Sequence, residues 1–260
     1  MLERLLRRAN PLGLLTLAGL LLLWELAIAT GLLTFNYLPR PSRIAAAFGE
    51  LIETGELEEN LRHTLSAALT GWALAGLAGT AVGVVLGLVR PAWRYSMASF
   101  EALRALPIVA FVPVAVLLLG FTLEMEILVA FYAALWPILL NTYAGMRNLD
   151  RRMVEVGRVM GLNPVRALWK LRLPAATPLI MVGLRLGLGV SLVLTLVSEM
   201  VGNPAGLGFA LVQKGQSLQP EQMFAYVVVI GISGIVLNAV LMGGARLLFR
   251  GQMAAAGESA

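Results

Sequence analysis

Cysteine is absent from this sequence and histidine occurs once, at His63. The first absence excludes disulfides, thiolate nucleophiles and zinc–thiolate sites, and leaves the redox compartment open. The second leaves His63 without ligand companions, so no metal site is expected there. Charge is sparse as well: 13% of residues are charged, against about 25% in a soluble domain. Nothing matches the pattern GxxxxGK[ST], so no loop of this chain is built to cradle the phosphates of ATP. A nucleophile paired with a base, or clustered metal ligands, is equally missing, which leaves too few groups for an enzyme. The net charge of +5 comes from arginines lying between apolar runs. It forms no basic stripe interleaved with aromatics, so nucleic acid is not an expected partner.

What is present is apolar sequence, 58% of the 260 residues. Runs near twenty residues recur, long enough to cross a hydrocarbon core of about 30 Å as helices. An all-α membrane protein with six transmembrane helices is expected, at Leu12–Thr30, Leu65–Val89, Ile108–Leu119, Glu126–Met146, Ala175–Met200 and Met223–Phe249. The first run imitates a cleavable leader, with Arg4, Arg7 and Arg8 before it and Ala27-Ile28-Ala29 at its end; it is expected to be retained. The third holds Pro113 and follows Pro107, so it should start or kink there. Most of the basic residues, Arg90, Arg94, Arg104, Arg147 to Arg172 and Arg246 among them, fall in segments on the side of the N-terminus. The positive-inside bias therefore places both termini on the cytoplasmic side of the membrane. The expected division is 1–62 for the first span and an external amphipathic segment, 63–250 for the membrane core with an inner loop at 147–174, and 251–260 for a cytoplasmic tail.

Small residues recur every four positions in the second span, at Gly71, Ala75, Gly79, Gly83 and Gly87, and in the fifth, at Gly183, Gly187, Ser191 and Thr195. Stripping one side of a helix of bulk allows close backbone approach where lipid supplies no drive for association. Both ladders read first as packing faces, with a lining for a solute path as the alternative. The polar stretch Leu38–His63 should lie outside the spans, its glutamates Glu50, Glu53, Glu56, Glu58 and Glu59 reading as a solvated face. Charge within a span is costly and marks a functional candidate. Arg185 lies about 15 Å into the fifth span, near the midplane. It reads either as a positive charge for an anionic solute or as an arginine held by another span's polar group. Glu199, roughly 21 Å further along that helix, belongs near the outer gate and is out of reach of Arg185. Arg185 and Glu199 are the candidate translocation-path residues. Glu25 beside Trp24 reads as an interfacial anchor without further role, and Asn238 as an interhelical hydrogen-bonding residue.

The inner loop from Arg147 to Pro174 has structure of its own. Met153, Val156 and Met160 share one helix face. That helix should stop at Gly161. Asn163 is a good N-cap and Pro164 suits the first helical position, so a second short helix is predicted to run to about Arg172 and end at Leu173-Pro174. With Arg151, Arg152, Arg158, Arg166 and Lys170 on it, the bent pair has the form of a docking surface.

This segment resembles the EAA loop of ABC importer permeases, whose pattern is E-A-A, three residues, G, nine residues, then I-x-L-P. Glu155, Gly161, Leu173 and Pro174 fall in register, with Val156 and Gly157 replacing the alanines and Leu171 the isoleucine. The likeness runs from about Pro39 to the last span and is nearest the nitrate, taurine and alkanesulfonate branch. Leu103-Arg104-Ala105-Leu106-Pro107 with Ala110 and Pro113, Gly183-Leu184-Arg185 with Gly187 and Glu199, and Gly206-Leu207-Gly208 look like that branch. Ala67 and Leu118-Leu119 depart from it.

The resemblance implies a type I ABC importer permease fold with a cytoplasmic helix-turn-helix coupling loop, in which Glu155, Gly157, Gly161, Asn163, Pro164, Leu171, Leu173 and Pro174 meet the ATPase. It implies a homodimer, two ATP-binding subunits that hold ATP and Mg, and an external binding protein, with membrane lipid around the chain and no cofactor within it. The expected function is inward transport of a small anionic solute such as nitrate, a sulfonate or taurine. The alternative is a secondary transporter of a small anion, which would need coupling carboxylates near the midplane, whereas Glu25 and Glu199 lie near one edge.

Overall fold

The computed structural model describes residues 11–248, apart from 34, 36, 150–154, 156, 158 and 202. The expected first half of the coupling loop, with Arg151, Arg152, Met153, Val156 and Arg158, lies largely outside the described residues, as do Arg4, Arg7, Arg8 and the tail 251–260. Every regular element among the described residues is helical: α1 Pro11–Ala29, α2 Pro41–Glu53, α3 Glu56–Leu88, α4 Arg90–Ala105, α5 Ile108–Leu119, α6 Leu123–Arg147, α7 Pro164–Ala167, a π turn Leu168–Arg172, α8 Leu173–Met200, α9 Leu207–Gln216 and α10 Pro220–Leu248. Four helical stretches, at Glu56–Leu88, Leu123–Arg147, Pro164–Met200 and Pro220–Leu247, are long and apolar enough to cross a membrane. The α4–α5 pair, bent by 85°, passes the same test jointly, and α1 is a shorter apolar helix. Leu117 and Ile235 are 86% and 72% exposed, a surface suited to hydrocarbon rather than water.

The chain forms two compact units, one from Met1–Glu59 with Ala210–Ile230, the other from Asn60–Phe209 with Gly231–Ala260. The expected boundary at residue 62 falls inside α3.

In the first unit α2 begins at Pro41, where the lost N–H would be unpaired in any case, and buries Ile44, Ala47 and Leu51 at helical spacing. Glu25 has a role that the sequence reading did not give it. Its carboxylate accepts the Ser42 backbone N–H at 3.0 Å and the Ser42 hydroxyl at 2.8 Å, so it satisfies an open donor at the start of α2. Glu56 accepts from Lys214 Nζ and from the Tyr226 hydroxyl, each at 3.0 Å. At least this member of the acidic run is engaged by its own chain.

The second unit is organised around α6 and α8. Both small-residue ladders pack as expected. A Cβ added at Gly71 would sit 2.6 Å from the Ala130 Cβ and 2.8 Å from the Ile127 carbonyl, and one at Gly83 would sit 2.7 Å from Thr142. On α8, a Cβ at Gly183 would lie 3.0 Å from the Pro137 carbonyl. Ser191 donates to the Ala68 carbonyl at 2.7 Å, and Trp72 Nε1 donates to the Leu184 carbonyl at 2.9 Å. Buried Val112, Ala115, Met125, Val129, Ala133 and Leu194 join α5, α6 and α8 in one apolar core.

Two boundaries differ from the expectation. Helix α3 starts at Glu56, nine residues before Leu65, so the polar stretch continues into the span and carries His63 with it. Acidic residues in a first helical turn are favoured by the dipole, which extends the helix past the apolar run. The segment after Val89, which lies between the expected second and third spans, is helix α4. Its break from α5 falls at Leu106-Pro107, because the residue before a proline is pushed out of helical conformation.

Candidate functional site

Both ends of α8 carry candidate residues. At its N-terminal end the chain turns at Gly161, whose φ is +66°, while the Leu162 N–H donates to the Gly157 carbonyl at 3.1 Å. That pairing across a left-handed glycine is a Schellman helix stop. Glu155 and Gly157 are helical. A Cβ at Gly157 would lie 2.7 Å from Leu171 Cδ1, so these two expected coupling residues are in contact across the turn. The Asn163 side chain accepts the Arg166 N–H at 2.8 Å, which caps α7 with Pro164 at its first position.

Leu173 and Pro174 do not end the second helix, contrary to expectation. The backbone stays helical through Arg172 and Leu173 into α8. A proline ring inside a regular α-helix clashes with the carbonyl four residues back, here that of Lys170. The π turn Leu168–Arg172, in which the Leu173 N–H donates to the Leu168 carbonyl, widens the backbone at that place. Around this elbow Val159 is 89% exposed and Trp169 66%, with Met160 and Val165 also exposed and Arg166 and Lys170 on the same element.

Midway along α8, Arg185 Nε donates to Asn238 Oδ1 at 2.8 Å. The two expectations, an arginine held by another helix's polar group and an interhelical role for Asn238, meet in one hydrogen bond. Both residues line a cavity of about 370 Å³ with Leu188, Gly189, Leu192 and Gly234.

At the far end of α8, Glu199 is fully buried. Its carboxylate accepts the Thr64 hydroxyl at 2.7 Å and the Gly208 N–H at 2.7 Å. Thr64 in turn accepts the Leu207 N–H at 2.8 Å, and Asn60 Oδ1 accepts the Gly206 N–H at 3.0 Å. Three successive backbone donors at the start of α9 are thus met by three side chains. Such donors have no intrahelical partner and a buried one must find another.

Next to Glu199 lies a second fully buried carboxylate, Glu126, the first residue of the expected fourth span. His63 Nε2 is 3.1 Å from each Glu126 oxygen and hydrogen-bonds Oε1. Asn203 also bonds Oε1. His63 therefore does have ligand-type companions, because α3, α6 and α8 bring His63, Glu126 and Glu199 together from positions 63, 126 and 199. No local spacing announces this; only a helix start at Glu56, placing His63 on the face of Thr64 and Ala67, would have hinted at it.

Comparison with known proteins agrees with this architecture. Residues 75–253 match the family described as binding-protein-dependent transport system inner membrane component. The chain is 31% identical over 222 residues to the putative aliphatic sulfonates transport permease protein SsuC of Bacillus subtilis (strain 168), covering 85% of this chain and 80% of the relative. It is 32% identical to the protein of the same description from Escherichia coli (strain K12), covering 83% and 82%. It is 27% identical to the nitrate import permease protein NrtB of Synechocystis sp. (strain ATCC 27184 / PCC 6803 / Kazusa), covering 89% and 90%. Among solved structures, a chain of the inward-facing MetNI methionine ABC transporter superposes with a TM-score of 0.61 at 20% identity, covering 73% of this chain and 93% of that one; at that identity the likeness concerns the fold alone. The chain belongs to the binding-protein-dependent transport system inner membrane component family. It is a multi-pass membrane permease subunit of an ABC importer, not an enzyme, and ATP hydrolysis belongs to a separate subunit. The secondary-transporter alternative is set aside by this membership.

Proposed function

We propose that this chain translocates a small anion, in the class of sulfonates and nitrate, delivered by an external binding protein and driven by two partner subunits that bind ATP and Mg. On this reading two copies enclose the path. Helices α1, α3, the bent α4–α5 pair, α6, α8 and α10 are its six spans, both termini are cytoplasmic, and the elbow from Glu155 to Pro174 receives the ATPase. The printed functions of the sulfonate and nitrate relatives name anions, and the observation that carries the anion class is Arg185 at the cavity wall. Asn238 holds its Nε, which fixes the plane of the guanidinium and leaves the two terminal nitrogens for a bidentate oxyanion. Glu199 bears on the path indirectly, as the residue that anchors the Gly206–Gly208 turn.

The test is Arg185→Ala in the assembled importer. Solute-stimulated ATP hydrolysis and uptake are expected to fall by about tenfold or more, equivalent to about 1.4 kcal/mol, with assembly intact. Loss of assembly instead would make Arg185 structural. Full uptake by Arg185→Lys would reduce its role to a point charge.

A further inference from the structure

His63, Glu126 and Glu199 each offer one ligand atom, and the three atoms lie within 4.8 Å of one another. They come from three helices, α3, α6 and α8, of a single compact unit. Both carboxyl groups are fully buried, so two acidic side chains sit side by side away from water, with one imidazole beside them. A separate observation marks an open valence: Glu126 Oε2 is buried and accepts no hydrogen bond among the described residues, His63 Nε2 standing 3.1 Å away while bonded to Oε1. A buried carboxylate oxygen without an aligned donor is costly, and a cation would satisfy it.

We propose that His63, Glu126 and Glu199 form a binding site for one divalent transition-metal ion of the zinc or manganese class, which ties α3, α6 and α8 together. An ion with bonds of about 2.0 to 2.2 Å in tetrahedral array holds its ligands roughly 3.3 to 3.6 Å apart. The 3.1 Å from His63 Nε2 to Glu126 and the 4.8 Å envelope bracket that spacing. One imidazole with two carboxylates is a set of borderline-to-hard donors, suited to zinc or manganese and unsuited to soft Cu(I). A dication cancels the two carboxylate charges with the imidazole neutral. The hydrogen bonds from Thr64 and Gly208 to Glu199 and from Asn203 to Glu126 are the outer contacts that orient metal-bound carboxylates. The His63 side chain is 24% exposed, which gives the ion a way in.

The experiment takes the full chain assembled with its ATP-binding partners in detergent, strips it with EDTA, dialyses it against zinc or manganese and measures metal by mass spectrometry. The partner alone serves as blank. One ion per permease chain is expected, with affinity lowered about 100-fold or more in Glu126→Gln and His63→Ala, since loss of an outer contact alone costs 10- to 100-fold. Equal metal content in wild type and variants overturns the proposal. So does a folded wild type that takes up none, its carboxylates then sharing protons. If the variants fail to assemble, Co²⁺ titration of the wild type decides. Visible bands of a low-coordinate nitrogen–oxygen site, absent from the blank, support the site, and their absence overturns it.

Discussion

The two ends of α8 are built on opposite terms. At Glu199 the carboxylate is buried, and Thr64, Asn60 and the N–H groups of Gly206, Leu207 and Gly208 pair with one another or with it. At the Gly161 elbow the backbone is as well specified, by a Schellman stop and an asparagine cap. Its apolar side chains Val159, Met160, Val165 and Trp169 nonetheless stand exposed. One end has its backbone donors met by its own side chains. The other has its shape fixed and its contacts open, which is the form of a surface made for another chain. Mutations at the first end should therefore register as stability, and at the second as partner binding.

The largest effect is expected at the closed end. A Cβ at Gly208 would collide with the Leu196 carbonyl, and it would come within 3.0 Å of Glu199. Backbone does not yield cheaply, so Gly208→Val should cost about 3 kcal/mol or more, at or beyond the upper end of overpacking penalties. Detergent-solubilised chain should lose its monodisperse elution and melt well below the wild type. A normal melting temperature would show that this end is not closed.

Gly161→Val comes next. Space around Gly161 is open, so nothing collides, but a left-handed backbone costs a side-chain residue about 1 to 2 kcal/mol. The strain should re-aim α7 while leaving the membrane helices intact. Co-purification with the ATPase and solute-stimulated hydrolysis should fall with little change in melting temperature, and Gly161→Asn, which tolerates that backbone, should keep most of both. Full retention by the valine variant would move the coupling role to another segment, such as α4.

The smallest effect on the chain itself is expected for Trp169→Ala. An exposed side chain away from packing changes stability within about 0.5 kcal/mol, whereas a tryptophan buried by a partner is worth about 2 kcal/mol or more of binding. Unchanged melting with weakened ATPase association sharpens the contrast; unchanged association would mean the elbow is not the docking surface.

The sequence by itself determined the solvent, the apolar helices and the tight approach along Gly71–Gly87 and Gly183–Thr195, because hydropathy and small-residue spacing are local, periodic signals. It also placed the elbow, since a left-handed glycine and an asparagine cap act within a few residues of themselves. It overran at Leu173-Pro174, where the proline signal for a break was met by a π turn, a backbone adjustment that no residue type announces. It missed α4 and the early start of α3, whose residues are too polar to read as spans. What only the tertiary structure decided is the company that Glu25, His63, Glu126 and Glu199 keep. Apart from Gly208, nine positions from Glu199, their partners lie 17 to 135 positions away along the chain. A buried charge is satisfied by whatever polar group the packing of other helices brings within 3 Å, and that neighbourhood is set by three-dimensional fit rather than by any pattern along the sequence.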